Sequence, residues 1–181
     1  MSLRGQFLVA EPRLPDSNFF RSVVLVLEHS GKGASGLILN RPSSVSLQEV
    51  WSEVSDAPLI RHETIYIGGP VEGPLGVLHT NAALADQTVM DGVYLSLQRE
   101  KLDQLMATES GPIRVFSGYS GWSAGQLESE MEVGGWFTWP AEVDEIFGEH
   151  ERLYRKTCER VGQSVMFGQE KKVPKINPTL N

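Results

Sequence analysis

Gly118-Tyr119-Ser120-Gly121-Trp122-Ser123-Ala124-Gly125-Gln126-Leu127-Glu128 joins a strand-like segment at 113–116 to a helix-like one. It packs three glycines, two serines and two aromatic side chains into the join. Glycine lets a backbone turn sharply or come close to another group. The start of a helix offers unpaired N–H groups and a partial positive charge, which suit an anion. Ser123-x-x-Gln126 has the spacing of a capping box. The run therefore predicts a strand–turn–helix corner with a binding site at the turn, and a stability cost for Gly121→Ala if Gly121 holds a positive φ.

Outward from this corner, strand and helix patterns alternate. Residues 23–27, Val-Val-Leu-Val-Leu, read as a strand buried on both faces. A turn at 31–33 and a return strand at 36–39 predict a hairpin. Short strands are expected at 7–10, 64–67, 75–78, 93–97 and 135–138. Ser46-x-x-Glu49 is a second capping box, followed by Val50, Trp51 and Val54 at helical spacing. Leu102, Leu105 and Met106 mark one face of a helix at 98–108. Pro140 suits the first turn of another helix, with Val143, Ile146 and Phe147 on one face. Residues 149–161 continue as helix with Tyr154, Cys158 and Val161 inward. Hairpins among helices predict an α+β domain with a mixed sheet, not a regular doubly wound parallel one. The expected division is one domain over 1–162 and a C-terminal tail over 163–181.

Composition narrows the function classes. The chain has 181 residues, 40% apolar and 22% charged, as expected of one folded domain. Its 16 Lys and Arg against 23 Asp and Glu give a net charge of −7. That balance opposes a general grip on nucleic acid, so direct nucleic-acid binding is disfavoured. The basic group Lys171, Lys172 and Lys175 falls in the expected tail. The single Cys158 excludes an internal disulfide and a multi-thiolate zinc site, and fits a reducing compartment. The longest apolar run, 23–27, is far shorter than a membrane helix needs, and no leader pattern opens the chain. A cytoplasmic protein without a membrane association is expected.

Four segments carry a family resemblance. They are Gly5-Gln6-Phe7-Leu8-Val9-Ala10 with Pro12; Phe20-Arg21-Ser22-Val23-Val24 through Glu28-His29 to Gly36-Leu37-Ile38-Leu39-Asn40-Arg41-Pro42; Gly68-Gly69-Pro70-Val71 with Leu78-His79; and Gly118-Tyr119-Ser120-Gly121-Trp122 through Gln126-Leu127-Glu128. In order and spacing they resemble the YqgE/AlgH family of bacterial proteins over roughly residues 5–162. The resemblance implies a mixed sheet curled towards a barrel, helices packed around it, and a cytoplasmic setting. It implies no established biochemical activity; a label of transcriptional regulator is attached to part of the family. Many members carry Cys just before the Glu-His pair, where this chain has Leu27, so a thiol role there cannot operate.

Several chemistries can be weighed at these segments. A hydrolase elbow needs glycine two residues before and two after its serine. Around Ser120 the second place is Trp122, although His29 or His79 would serve as a base. His29 and His79, with Glu28 or Glu72, would supply a metal site, yet no short ligand spacing is present. Arg41, held extended by Pro42, suits an anion or a neighbouring carboxylate. Gly68-Gly69-Pro70-Val71 has neither the Lys-Ser/Thr of a phosphate-binding loop nor dinucleotide glycine spacing. At least two of Trp122, Trp136 and Trp139 are expected in the core. The leading expectation is a non-enzymatic protein without a cofactor. It acts through a protein partner or small anionic ligand at a cleft lined by His29, Asn40, Arg41, Ser120, Trp122 and Ser123. The alternative is a hydrolase using Ser120 with His29 or His79, or a metal at those histidines.

Overall fold

The computed structural model describes residues 2–166. In chain order its elements are β1 (Gln6–Ala10), β2 (Val23–Ser30), β3 (Gly33–Ile38), β4 (Pro42–Ser46), α1 (Leu47–Val54), β5 (Thr64–Ile67), β6 (Val71–His79), β7 (Gln87–Met90), β8 (Val93–Ser96), α2 (Arg99–Met106), β9 (Ile113–Ser123), α3 (Gln126–Glu132), β10 (Trp136–Pro140), α4 (Val143–Ile146) and α5 (His150–Met166).

The strands form one mixed sheet in the order β10-β1-β2-β3-β9-β6-β8-β7. β5 runs parallel to β9, and β4 pairs with β5. The sheet curls into a half-barrel, so β7 returns towards β2. Gln87 Nε2 donates to the Leu27 carbonyl, and Arg4 Nε donates to the Val89 carbonyl, both at 3.3 Å. The α+β class and the barrel-like curl are as the sequence and its family resemblance predict.

Successive side chains on a strand face opposite ways, and β2 uses both faces. Val23, Leu25 and Leu27 join the inner core with Phe7, Leu37 and Phe116, closed by Ile146 of α4 and Leu153 of α5. Val24 and Val26 join an outer core with Leu8, Ile38 and Trp122, beneath Leu127 of α3. Burial on both sides explains the unbroken apolar run. A third cluster packs Leu47 and Trp51 of α1 and Leu102, Leu105 and Met106 of α2 on Val77 and Val115. The Ser46 capping box is present: the Glu49 amide donates to Ser46 Oγ at 3.2 Å, and the Ser46 amide donates to Glu49 Oε2 at 3.0 Å.

The structure departs from the sequence reading in several places. β4 and β7 were not expected; β4 is five mostly exposed residues, three of them serine. Pro140 closes β10 rather than opening a helix, because β10 pairs with β1 through that residue. α4 is a single turn. α5 continues through Gly162 to Met166; the expected tail beyond it, 167–181, lies outside the described residues. No helix among the described residues is long and apolar enough to cross a membrane.

Candidate functional site

The glycine-rich run is a strand, not a turn. β9 extends through Ser123, and its residues 120–123 pair with 33–36 of β3. Its glycines answer a crossing of two backbones. β5 flanks β9 on one side and β6 on the other, so residues 68–70, which join β5 to β6, must step directly over β9. A Cβ on Gly69 would overlap the Tyr119 backbone, and one on Gly118 would sit 2.7 Å from the Val71 carbonyl oxygen. Gly118 also has φ +71°, a left-handed backbone. Gly121 does not hold a positive φ and is ordinary strand, so the condition for a costly Gly121→Ala is not met.

Ser120 belongs to this crossing. It is fully buried, and its hydroxyl donates to the Gly68 carbonyl at 3.0 Å. Neither histidine reaches it with a hydrogen bond. His79 Nε2 meets Ser96 Oγ at 2.8 Å, and its Nδ1 accepts the Asn81 amide at 3.2 Å. Burial holds the His79 pKa below the ordinary histidine value, with Asp86 opposing. His29 Nδ1 accepts the Leu3 amide at 3.1 Å, which leaves the proton on Nε2, 2.8 Å from Glu128 Oε1. Among the described residues no three His, Cys, Asp or Glu side chains gather as a metal would require.

The Ser123 capping box is only half formed. The Ser123 amide donates to Gln126 Oε1 at 3.0 Å, and its hydroxyl meets the same oxygen at 3.1 Å. Gly125, at φ +75°, is the residue that caps α3. That helix has seven residues and carries Glu128, Glu130 and Glu132. Its start is therefore an acidic setting, poorly matched to an anion. Glu130 instead fixes the tryptophans: its Oε2 accepts the Trp122 indole N–H at 3.0 Å and that of Trp136 at 2.8 Å. Both tryptophans are core residues, as expected.

Three of the predicted site residues converge on the loop 11–22. Asn40 Oδ1 accepts the Val23 amide and its Nδ2 donates to the Arg21 carbonyl, each at 2.9 Å, continuing the ladder beyond the ends of β2 and β3. Arg41 Nη1 donates to the Asn18 carbonyl. The Trp122 ring stacks on Phe19 at 5.7 Å, and Trp136 meets Phe19 edge-on at 5.2 Å. Inside the loop, the Asn18 amide donates to Asp16 Oδ1 at 2.7 Å, and the Ser22 hydroxyl donates to the Phe19 carbonyl at 2.9 Å. So held, the loop presents Phe20, 49% exposed, with the Arg21 guanidinium 5.2 Å from its ring centre. Arg21 has φ +52°, the one positive φ outside glycine among the described residues. Burial lowers the Arg41 pKa from its ordinary value, and Asp16 opposes the shift.

Ser120, Ser123 and His29 stay apart from this loop: the first in the crossing, the other two at the start of α3. Sequence reasoning chose Asn40, Arg41 and Trp122 but not Phe20 or Arg21. No sequence signal marks Arg21, because left-handed backbone favours glycine, asparagine and aspartate. A separate depression is lined by Ile60, Arg61, His62, Glu63 and Glu109. Arg61 there is engaged by the carbonyls of Leu105, Thr108, Ser110 and Gly111 and by Glu63 at 2.9 Å, which ties β5 to the end of α2.

Known proteins share this fold. The solution structure of AlgH from Pseudomonas aeruginosa superimposes with a TM-score of 0.76 at 32% identity, covering 95% of this chain and 96% of that one. A crystal structure of a protein from Corynebacterium diphtheriae gives 0.69 at 28% identity, over 94% and 88%. A UPF0301 protein of Chlorobium luteolum is 35% identical over 96% of this chain and 94% of its own. One from Thermobifida fusca is 37% identical over 92% and 91%. The AlgH-like family model matches residues 7–166, from β1 to the last turn of α5. With the half-barrel and the four motif segments, all but Gly5 and Gln6, inside that match, the chain belongs to the AlgH-like family.

Proposed function

We propose that this protein works by non-covalent recognition of a protein partner at the loop 11–22, without chemistry of its own. The observation that carries the reading is Arg21, held in a left-handed backbone beside an exposed Phe20 on a loop otherwise tied down at every turn. A non-glycine residue in that conformation costs about 1–2 kcal/mol, and such strain gathers at ligand clamps and binding sites. Phenylalanine and arginine are also enriched where proteins meet. Small-ligand sites enclose most of their ligand; Phe20 and Arg21 stand outward, which favours a protein over a small anion. The regulatory role and cytoplasmic setting implied by the family resemblance belong to the same proposal.

The test compares proteins that co-purify with the wild-type chain and with Phe20→Ala under matched expression and crosslinking. A partner recovered stoichiometrically with the wild type and lost with Phe20→Ala, at unchanged melting temperature, supports the reading. Recovery of the same proteins by both chains overturns it.

A further inference from the structure

The loop 11–22 and its Arg41 brace hold cations that close no ion pair among the described residues; Asp16 acts on Arg41 without pairing with it. Arg13 and Arg21 are exposed and Arg41 is half-buried. Among the described residues none of the three makes an ion pair, whereas every Arg and Lys from Arg99 to Arg160 except Arg114 holds a carboxylate. The chain has no shortage of carboxylates, with 23 against 16 cations. Arg41 is the sharpest case. It is partly removed from water, and its one side-chain hydrogen bond among the described residues goes to the neutral Asn18 carbonyl. A guanidinium carries five N–H donors in a planar fork that matches a carboxylate. Beside these cations lie two apolar side chains, Phe20 at 49% exposure and Ile67 at 40%; the Ile67 amide donates to the Arg41 carbonyl at 2.8 Å.

Building on the partner reading above, we propose that the partner presents an acidic polypeptide segment, its carboxylates taken by Arg21 and Arg41 and an apolar side chain seated against Phe20. A polypeptide fits better than a nucleic acid. The cations are isolated rather than aligned in a track, Glu11 and Asp16 lie among them, and a net charge of −7 repels a long polyanion.

The probes are a twelve-residue peptide of alternating Glu and Leu, its Gln-Leu counterpart, and a single-stranded oligonucleotide of equal length. Each is titrated into the full chain and followed by amide NMR. The Glu-Leu peptide is expected to move the Phe20, Arg21 and Arg41 resonances and to weaken with added salt. The Gln-Leu peptide is expected to bind about a hundredfold more weakly, as the loss of both charge-assisted contacts implies. Arg21→Gly is expected to weaken the Glu-Leu peptide about tenfold and yet raise the melting temperature, because glycine relieves the backbone; a purely structural arginine would not move the two readouts in opposite directions. Equal binding of the Gln-Leu peptide, preference for the oligonucleotide, or no Glu-Leu binding up to millimolar concentration overturns the proposal. If Phe20→Ala abolishes partner capture while Arg21→Gly and Arg41→Gln leave it intact, the acidic segment falls and the partner reading stands. If none of the three changes capture, both fall.

Discussion

The crossing of residues 68–70 over β9 and the loop 11–22 are built from equally conspicuous sequence, yet they end in opposite physical states. At the crossing the motif residues answer one another. Two backbones touch where glycine leaves room, and Ser120 fastens them through the Gly68 carbonyl. Around the loop the motif residues are held firmly but left unmatched: a strained Arg21, an exposed Phe20, and a half-buried Arg41 that closes no ion pair among the described residues. A glycine-rich motif beside a helix start looks like a binding site in sequence. Here it records a steric demand of topology, and the exposed groups without an ion pair lie elsewhere.

The contrast breaks most visibly at Gly118. A Cβ there meets the Val71 carbonyl and must accept a φ of +71°. Gly118→Ala is therefore expected to destabilise the fold by ~3 kcal/mol or more, combining backbone strain with an overlap the neighbouring chain cannot yield to. Gly121→Ala, three residues along, adds a Cβ at ordinary contact, 3.5 Å from the Tyr119 ring. It is expected to change stability by less than ~1 kcal/mol. Chemical denaturation of the two variants decides the matter. Equal effects would show that the glycines do not serve the crossing.

At the loop a single brace is replaceable at smaller cost. Asn40→Ala removes two hydrogen bonds, to the Val23 amide and the Arg21 carbonyl. The expected loss is ~1–2 kcal/mol, since water reaches part of the vacated edge. Amide exchange near Arg21 should quicken more than exchange in the middle of β2, because local opening precedes global unfolding. Uniform quickening along β2 would mean that Asn40 supports the sheet as a whole rather than the loop.

These differences mark what was legible in the sequence. Periodicity found the doubly buried β2, the α2 face of Leu102, Leu105 and Met106, and the Ser46 cap, because each is set by neighbours close in the chain. β4 escaped notice because Pro-Ser-Ser-Val-Ser has no apolar alternation; it is a strand only because β5 pairs with it. The crossing was invisible for the same reason. Nothing within the run 118–128 states that another backbone will pass over it, so its glycines read as a turn. The capping box at Ser123 failed because β3 holds that residue in β9, which moves the helix start to Gly125. Of the site, Asn40, Arg41 and Trp122 were legible as polar or aromatic residues at element ends. Arg21 was not, because nothing in its residue type favours a left-handed backbone.

The smallest effect is also the one that says where the strain at Arg21 is held. Arg21→Gly is expected to stabilise the fold by ~0.5–1 kcal/mol, the relief of a left-handed residue less the entropy of a freer unfolded chain. If Asn40 enforces the conformation through its bond to the Arg21 carbonyl, Asn40→Ala in the wild type lets the loop relax and recovers part of what the lost hydrogen bonds cost. In the Arg21→Gly background no strain is left to relax. There Asn40→Ala should cost ~0.5 kcal/mol more than it does alone, a coupling readable from a double-mutant cycle in urea. Zero coupling would move the constraint to the turn closed by Ser22 and the Phe19 carbonyl, which survives both substitutions. The loop would then be strained by its own closure, and Asn40 would be a brace for β2 that happens to touch it.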